Sequence, residues 1–184
     1  LYDCSLVSDG GAALVMTSSD RAKDCLKDPV YLLGFGEGHR HEHLSQAWSF
    51  TESGAVESGK RAFAMSKLTP QDVDVAALYD CFTPVVLIEL EDLGFCPKGE
   101  AGGFVEDGGI DLGGRIPVNT HGGLLSHCHP GNPGSMFHVT ELVKQLRNEC
   151  AERQVQNASV GLAHLQGGIL SSHGTLLLGV EETL

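Results

Sequence analysis

Short apolar runs that alternate with helical segments constrain the fold of this 184-residue chain more than any other feature. The apolar runs predict strands at residues 12–16, 30–35, 73–78, 158–165 and 175–180. Apolar spacing and capping residues predict helices at residues 20–26, 53–66, 83–93 and 134–146. Because strands and helices alternate along the chain, the sequence indicates a layered α/β domain.

Turn and loop signals separate these elements. Ser19 and Thr83 are the expected caps of two helices, with Pro84 at the first helical position after Thr83. The other segments are predicted as a turn at 69–72, loops at 36–50 and 97–114, and an extended piece at 116–120.

Length and charge limit the function classes. A chain of this size forms one domain, taken as residues 1–184. The 12 basic and 24 acidic side chains give a net charge of −12, so we expect no nucleic-acid partner. The 24 glycines are about twice the usual share of ~7%, and they occur in pairs among apolar runs and histidines. This pattern is unlike a disordered linker.

Compartment signals point to the cytoplasm. The six cysteines have no tight spacing, which predicts free thiols in a reducing environment. No run of ~18 apolar residues is present, so we predict no membrane span. The first 16 residues lack lysine and arginine and so do not resemble a signal peptide. Because the chain begins with Leu1, we expect that it was processed or cut from a longer protein.

His129 lies in a glycine-rich loop that leads into the last predicted helix. Backbone amides at a helix start favour negative charge, so an imidazole there can act as a base or an oxyanion donor. The alternative is a loop histidine beside a proline turn.

Tyr79 stands where a predicted strand ends and a capped helix begins, a usual place for functional groups in α/β sheets. Its hydroxyl can donate a hydrogen bond to an oxyanion or act as an acid. The alternative is a buried tyrosine with a satisfied hydroxyl.

Two other histidine-containing segments carry weaker signals. His164 precedes Gly167 and Gly168, which permit close backbone approach or form a tight bend. Ser172 and His173 are adjacent on an extended segment and point apart, which argues against a local catalytic pair.

The alternating His39, His41 and His43 could share one face of a strand and bind zinc. The alternative, which we favour, is that they are loop histidines, and we predict no metal.

Four motifs in order resemble the C-terminal half of thiolases. Residues 9–13 (DGGAA) resemble a strand entry, residues 79–82 (YDCF) fall at N-E-A-F or H-D-C-F, residues 128–130 (CHP) at G-H-P, and residues 164–168 (HLQGG) at C-x-G-G-G. The segments 78–96 and 117–126 are similar in particular to sterol-carrier-protein-x-type thiolases and thiolase-like lipid-transfer proteins. The resemblance implies a mixed sheet with helices on both faces.

The resemblance also implies roles for individual residues. His129 would activate a cysteine supplied by an N-terminal half, and Tyr79 and His164 replace the family's Asn or His and its second Cys. Backbone amides of Gln166 and Gly167 would form an oxyanion site. Candidate substrate-pocket residues are Cys81, Phe82, Asn119 and His121. Coenzyme A enters as substrate or product, and no covalently bound cofactor is expected.

Three functions follow from this resemblance. The first is Claisen or retro-Claisen acyl transfer on CoA thioesters with His129. The second is retro-aldol cleavage of a steroid- or lipid-derived acyl-CoA with Tyr79, although thiolase-like aldolases carry a second tyrosine where this chain has Gln166. The third is a non-catalytic lipid-binding or scaffold half. Expected partners are an N-terminal thiolase half, a second copy of the protein and a small OB-fold/zinc-ribbon protein.

Overall fold

The computed structural model describes residues 2–184, so Leu1, which the predicted domain includes, lies outside the described residues. Residues 2–184 contain five α-helices and a four-stranded sheet. The strands are β1 (Tyr31–His39), β2 (Val75–Ala77), β3 (Val160–Gly167) and β4 (Ser172–Gly179). The helices are α1 (Ser19–Ala22), α2 (Ala55–Ser66), α3 (Thr83–Asp92), α4 (Ala101–Glu106) and α5 (Gly134–Leu146).

The sheet is mixed, with strand order β1-β4-β3-β2. The pairs β1–β4 and β4–β3 are antiparallel, whereas β3 and β2 run parallel. Beyond the end of β2, the side chain of Asn119 continues the pairing. Its Oδ1 accepts from the backbone N–H of Leu78 at 2.8 Å, and its Nδ2 donates to the Leu78 carbonyl at 2.9 Å.

Helices cover both faces of the sheet, as the resemblance implied. Neighbouring residues of β3 point to opposite faces. Leu162 packs in one core with residues of α2 and α3, and Ala163 packs in a second core with Leu142 of α5. The predicted layered α/β architecture is therefore confirmed.

Glycines let α2 lie directly on β1. Gly34, Gly36 and Gly38 alternate along β1 and face the same helix. A Cβ atom on Gly34, Gly36 or Gly38 would overlap the backbone carbonyl oxygen of Ala62, Ser58 or Gly54, respectively. β1 pairs with β4 as far as His39 and Ser172, so it runs four residues past the predicted strand end.

The predicted strand at residues 12–16 is wrong. This stretch has no regular structure, and Val15 and Met16 are 100% and 78% exposed. A strand requires a partner for its backbone groups, and none of the four strands among residues 2–184 pairs with this segment. Apolar character alone therefore did not identify a strand.

Helix boundaries also differ from the predictions. α1 has only four residues because Ala22 is its one buried side chain, which leaves no apolar face to pack. Ser18, not Ser19, is at its N-cap. The N-cap of α3 is Phe82, and the hydroxyl of Thr83 instead donates to Asp3 at 3.0 Å.

α4 lies inside the predicted loop 97–114. Its two glycines hid the helical pattern from sequence reasoning. The helix forms because Glu91 accepts from the first backbone N–H, that of Ala101, at 3.1 Å, and because Ala101 is buried.

The longest helix in residues 2–184, α5, has 13 residues, and none of the helices there has the length and apolar character needed to cross a bilayer. All six cysteines are free thiols.

We predict that Gly36→Ala lowers the free energy of unfolding by about 1–3 kcal/mol, because the new methyl group overlaps the backbone of α2. Urea unfolding of the protein measures this change. Gly174→Ala in β4 is the matched control, since its Cβ would meet nothing within 4 Å. Equal effects of the two substitutions would contradict close packing of α2 on β1.

Candidate active site

Three chain segments meet at the end of β2. The N-terminal segment crosses this region, where Cys4 forms a β-bridge with Phe82, and Val7 forms one with His129. The loop before α5 supplies His129, and the strand end supplies Tyr79. The fold therefore brings together residues that are 50 positions apart in sequence.

Tyr79 and His129 form the central contact of the site. The hydroxyl of Tyr79 lies 3.1 Å from Nε2 of His129, within hydrogen-bond distance, and the two rings are nearly perpendicular at 86°. Both side chains are partly exposed. A phenol and an imidazole in this contact can exchange a proton and can also meet a bound molecule.

Two serines of the N-terminal segment fix His129. The hydroxyl of Ser5 lies 2.6 Å from Nδ1 of the imidazole. The backbone N–H of His129 donates to Ser8 Oγ at 2.9 Å. Both ring nitrogens therefore contact hydroxyl groups, and neither is hydrogen-bonded to a cysteine in residues 2–184.

Asp80 links the strand end to the loop that carries His129. Its carboxylate accepts from the backbone N–H groups of Leu124 (2.6 Å) and Leu125 (3.3 Å). These amides belong to a π-helical turn, Gly123–His127, that was not predicted from sequence. Gly123 has a φ of +62°, and a Cβ there would overlap the Asp80 carboxylate.

Burial keeps the Tyr79 hydroxyl and the Cys81 thiol protonated. Desolvation, followed by the charges of Cys81, Glu89 and Asp80, raises the pKa of Tyr79 to about 12. Desolvation and Glu89 raise the pKa of the Cys81 thiol to about 11. Cys81 also packs against Val85 in a small apolar cluster, which fits a core thiol better than a nucleophile.

Buried imidazoles lie behind the Tyr79–His129 pair. His138 is fully buried, with neither ring nitrogen hydrogen-bonded to any group in residues 2–184. Desolvation, with the charges of His121 and His129, lowers its pKa to about 3. His121 stacks edge-on against His138 at 5.4 Å and also has a lowered pKa, mainly from desolvation. Both rings are therefore neutral at physiological pH.

His121 lines a cavity of about 450 Å³. The cavity walls also include Phe137, Lys144, and the ion pair of Arg153 with Glu141 (3.0 Å), so Lys144 is the cation of this lining that is not paired with Glu141. This is where the structure places the predicted pocket residue His121.

His164 lies deeper than the sequence suggested. It has no exposed surface, and its ring nitrogens contact Thr175 Oγ1 at 2.9 Å and His173 Nδ1 at 3.0 Å. Desolvation holds its pKa well below the usual range. Its Nε2 is also 3.7 Å from a carboxylate oxygen of the buried Glu89. Its neighbours are thus other buried side chains and not the Tyr79–His129 pair.

The remaining predicted site residues occupy varied positions. Gln166 is 7% exposed and faces His173 across the β3–β4 ladder, and Gly167 ends β3 at the surface. Phe82 is 43% exposed beside Tyr79. Both amide atoms of the Asn119 side chain are hydrogen-bonded to the backbone of Leu78, so this side chain extends the pairing at the end of β2.

His39, His41 and His43 do not converge. Nδ1 of His39 contacts Ser172, and Nε2 of His41 contacts the Ile169 carbonyl. In residues 2–184, the one group of three ligating side chains whose donor atoms lie within 4.8 Å of one another is elsewhere in the fold.

Sequence reasoning missed Glu89, His138 and the role of Asp80. A signal existed for the first two, since each stands on the buried side of its helix. Glu89 lies four residues after the buried Val85, and His138 lies four before the buried Leu142. For Asp80 no local pattern shows which backbone amides the carboxylate meets.

Comparisons with known proteins match most of the chain. Residues 36–180 match the family described as Thiolase C-terminal domain-like. Acetyl-CoA acetyltransferase of Methanothermobacter thermautotrophicus is 39% identical over 169 residues, 91% of this chain and 44% of that protein. A 17-hydroxy-3-oxo-4-pregnene-20-carboxyl-CoA lyase of Mycobacterium tuberculosis is 42% identical over 154 residues, 80% of this chain and 39% of that protein.

Among solved structures, the Ltp2-ChsH2(DUF35) aldolase superposes with a TM-score of 0.81 at 33% identity. The match covers 90% of this chain and 43% of that chain. The chain thus spans less than half of the length of these relatives. They include proteins named as an acetyltransferase, a CoA lyase and an aldolase.

We predict that Gly123→Ala disrupts the site, because the added methyl overlaps the Asp80 carboxylate and displaces the π-helical turn. Hydrogen exchange at the amides of Leu124 and Leu125 should become faster. Gly99→Ala is the control, since Gly99 also has a positive φ, +86°, but open space around it. Unchanged exchange in Gly123→Ala would contradict the Asp80 anchor.

Acid should destabilise the fold through His138. The unfolded chain binds a proton near pH 6.5, whereas folded His138 binds one only near pH 3. Its contribution to stability is complete above pH 6.5 and falls as the pH drops from 6.5 toward 3, by about 1.4 kcal/mol per unit. In unfolding experiments, His138→Gln should reduce the slope by this amount, with the part due to His121, His164 and His173 remaining, and the exposed His39→Gln should leave the slope unchanged.

Proposed function

The chain belongs to the thiolase C-terminal domain-like family, and from this premise we propose that it supplies a Tyr79–His129 proton-transfer pair for a carbon–carbon bond reaction of a CoA thioester. Retro-aldol cleavage is the first candidate. Retro-aldol cleavage is supported by the 3.1 Å contact between the Tyr79 hydroxyl and Nε2 of His129.

The hydrogen bond to His129 lets Tyr79 act as a base, which the Tyr79 phenol alone could not do near neutral pH. With a pKa of about 12, the phenol gives almost no tyrosinate near neutral pH. If Nδ1 of His129 carries the ring proton and donates to Ser5, Nε2 is a free acceptor for the Tyr79 O–H. Tyr79 can then accept a proton from substrate while it passes its own to His129, and free tyrosinate need not form.

In the proposed step, the β-hydroxyl of a β-hydroxyacyl thioester gives its proton to Tyr79 as His129 becomes imidazolium. The bond between the α and β carbons breaks, and its electron pair forms the thioester enolate. The β carbon becomes a carbonyl group, and return of the proton to the α carbon releases the shortened acyl-CoA. Ser5 accepts from the Nδ1–H of the imidazolium.

Claisen acyl transfer is the second candidate. It is supported by the relatives named Acetyl-CoA acetyltransferase and by the partial exposure of His129, which leaves a side for an approaching cysteine. The aldol candidate ranks first because both ring nitrogens of His129 contact hydroxyl groups. Relatives named as lyase or aldolase support the same order.

The rest of the assembly is part of the proposal. We propose an N-terminal half that completes the site, a CoA thioester substrate, a cytoplasmic location and a second copy of the protein. The solved aldolase has a name with two components, Ltp2 and ChsH2(DUF35), which supports a protein partner. A small OB-fold/zinc-ribbon protein is the partner we propose for this chain.

Replacing Tyr79 tests the proposal. In the full-length protein with its partner, Tyr79→Phe should lower kcat for cleavage of a β-hydroxyacyl-CoA by about 10²–10⁴-fold, because the relay loses its hydroxyl. Tyr31→Phe, at the opposite edge strand, is the matched control and should retain activity.

Two outcomes would decide against retro-aldol cleavage. One is full activity of Tyr79→Phe. The other is loss of activity on replacing a cysteine of the N-terminal half while Tyr79→Phe still turns over, which would favour Claisen chemistry. Turnover that depends on His129 would exclude the scaffold reading.

A further inference from the structure

Three ligating side chains meet in the core on the α3 side of the sheet. Glu89 comes from α3, His164 from β3 and His173 from β4. Their exposed fractions are 0%, 0% and 2%. A carboxylate and two imidazoles in a dry core are costly unless each polar atom has a partner.

The spacing of the donor atoms is close to that of a metal site. Nε2 of His164 is 3.0 Å from Nδ1 of His173 and 3.7 Å from Oε1 of Glu89. All three donors lie within 4.8 Å of one another. Nitrogen and oxygen ligands at about 2.0–2.1 Å from a tetrahedral zinc ion are separated by about 3.3 Å. The two closest pairs differ from this separation by a few tenths of an ångström, and the third pair, within 4.8 Å, closes further when an ion binds.

The cluster contains polar atoms without hydrogen-bond partners in residues 2–184. They are both carboxylate oxygens of Glu89, Nε2 of His173 and Oε1 of Gln166. Such atoms in a fully buried position usually destabilise the folded state. A cation between Glu89 and the imidazoles would satisfy the two carboxylate oxygens.

A chain of hydrogen bonds sets the tautomer of His164. When Ser58 donates to the Ala55 carbonyl at 3.3 Å, Thr175 donates to Ser58 at 2.8 Å. Thr175 then has no proton for His164, and Nδ1–H of His164 donates to Thr175. In this arrangement Nε2 of the neutral ring is a bare lone pair directed at His173 and Glu89, as a metal ligand requires.

Gln166 can orient the second imidazole in the same way. It is the direct cross-strand neighbour of His173, so the two side chains share a face of the sheet. Its Oε1 and the Nε2 of His173 both lack partners in residues 2–184. A proton on Nε2 that is donated to Gln166 would leave Nδ1 of His173 free to bind a metal.

Nearby charges also favour a cation. Desolvation, followed by the negative charges of Asp80 and Asp92, raises the pKa of Glu89 well above its usual range. Asp92 is ion-paired with Lys98, so Glu89 itself is the carboxyl group that a proton or a bound cation has to neutralise in the core.

We propose that Glu89, His164 and His173 bind one Zn²⁺-class divalent ion that joins α3 to β3 and β4. Two nitrogen donors and a carboxylate that can bind through both oxygens suit this class of ion. Because the site is buried, the ion enters as the protein folds. The ion has a structural role and takes no part in the proposed proton transfer between Tyr79 and His129, although the charge of Glu89 acts on Tyr79.

Refolding with and without Zn²⁺ tests the site. The full-length protein is unfolded in denaturant with a chelator and refolded with or without excess ZnCl₂, and bound zinc is counted by mass spectrometry. We expect one protected zinc per chain and a higher melting temperature. Glu89→Gln should weaken Zn²⁺ binding by about 100-fold or more, and Thr175→Val by about 10–100-fold. The exposed His39→Gln controls for the surface histidines and should bind as wild type.

Spectroscopy of the wild-type protein covers the case in which a variant does not refold. Co²⁺ at the proposed site should give visible bands of a nitrogen–oxygen site without thiolate charge transfer. Thiolate bands would place the ion on cysteines and overturn the proposal. So would wild-type affinity in Glu89→Gln, loss of binding in His39→Gln, or no zinc in refolded wild-type protein. Tyr79→Phe should bind zinc as the wild type does. Loss of activity in this variant therefore tests the proposed reaction, and its zinc content tests the metal site separately.

Discussion

The carboxylate of Asp80 is the contact on which the candidate site depends. It directly follows Tyr79 at the end of the central sheet and accepts from two backbone amides of the turn before His129. One side chain thus ties the strand end to the loop, so Tyr79 and His129 are held by neighbouring anchors. Without it, two buried N–H groups would lose their acceptor, at about 1–3 kcal/mol each. Gly123 makes the approach possible because it carries no side chain.

Burial then sets the chemistry that these residues can perform. Desolvation keeps Tyr79 protonated and His138 neutral. An isolated phenol or imidazole would be a poor acid–base group in such surroundings. A hydrogen-bonded pair that moves one proton through two groups avoids a buried tyrosinate, which is why the contact matters more than either residue alone.

The sequence predicted the parts of the fold that local pattern determines. The helix at 53–66, the helix at 134–146 and the two C-terminal strands follow from apolar spacing and were found within a few residues. The prediction of a strand at 12–16 was wrong because an apolar run does not show whether another strand pairs with it. The sequence did not predict α4, because Gly102 and Gly103 have low helix propensity. The carboxylate of Glu91, which lies outside this helix, accepts from its first backbone N–H.

The candidate site was only partly predictable for the same reason. Tyr79 and His129 were each selected from their positions at element ends, but their contact joins residues 50 apart and depends on how the loop folds around Asp80. His164 was selected by motif position, whereas the structure buries it beside Glu89 and His173. Glu89 could have been noticed as a charged residue on the apolar face of α3.

The proposed reaction requires that the Tyr79 hydroxyl donates a hydrogen bond to Nε2 of His129. The tautomer of the His129 imidazole is the most direct test of this hydrogen bond. Nitrogen-15 NMR of the full-length protein with labelled histidine reports which ring nitrogen carries the proton, and His129→Gln assigns the signal. We expect a proton on Nδ1, a bare Nε2, and a shift of the Nε2 resonance in Tyr79→Phe. A proton on Nε2, with no response to Tyr79→Phe, would contradict it.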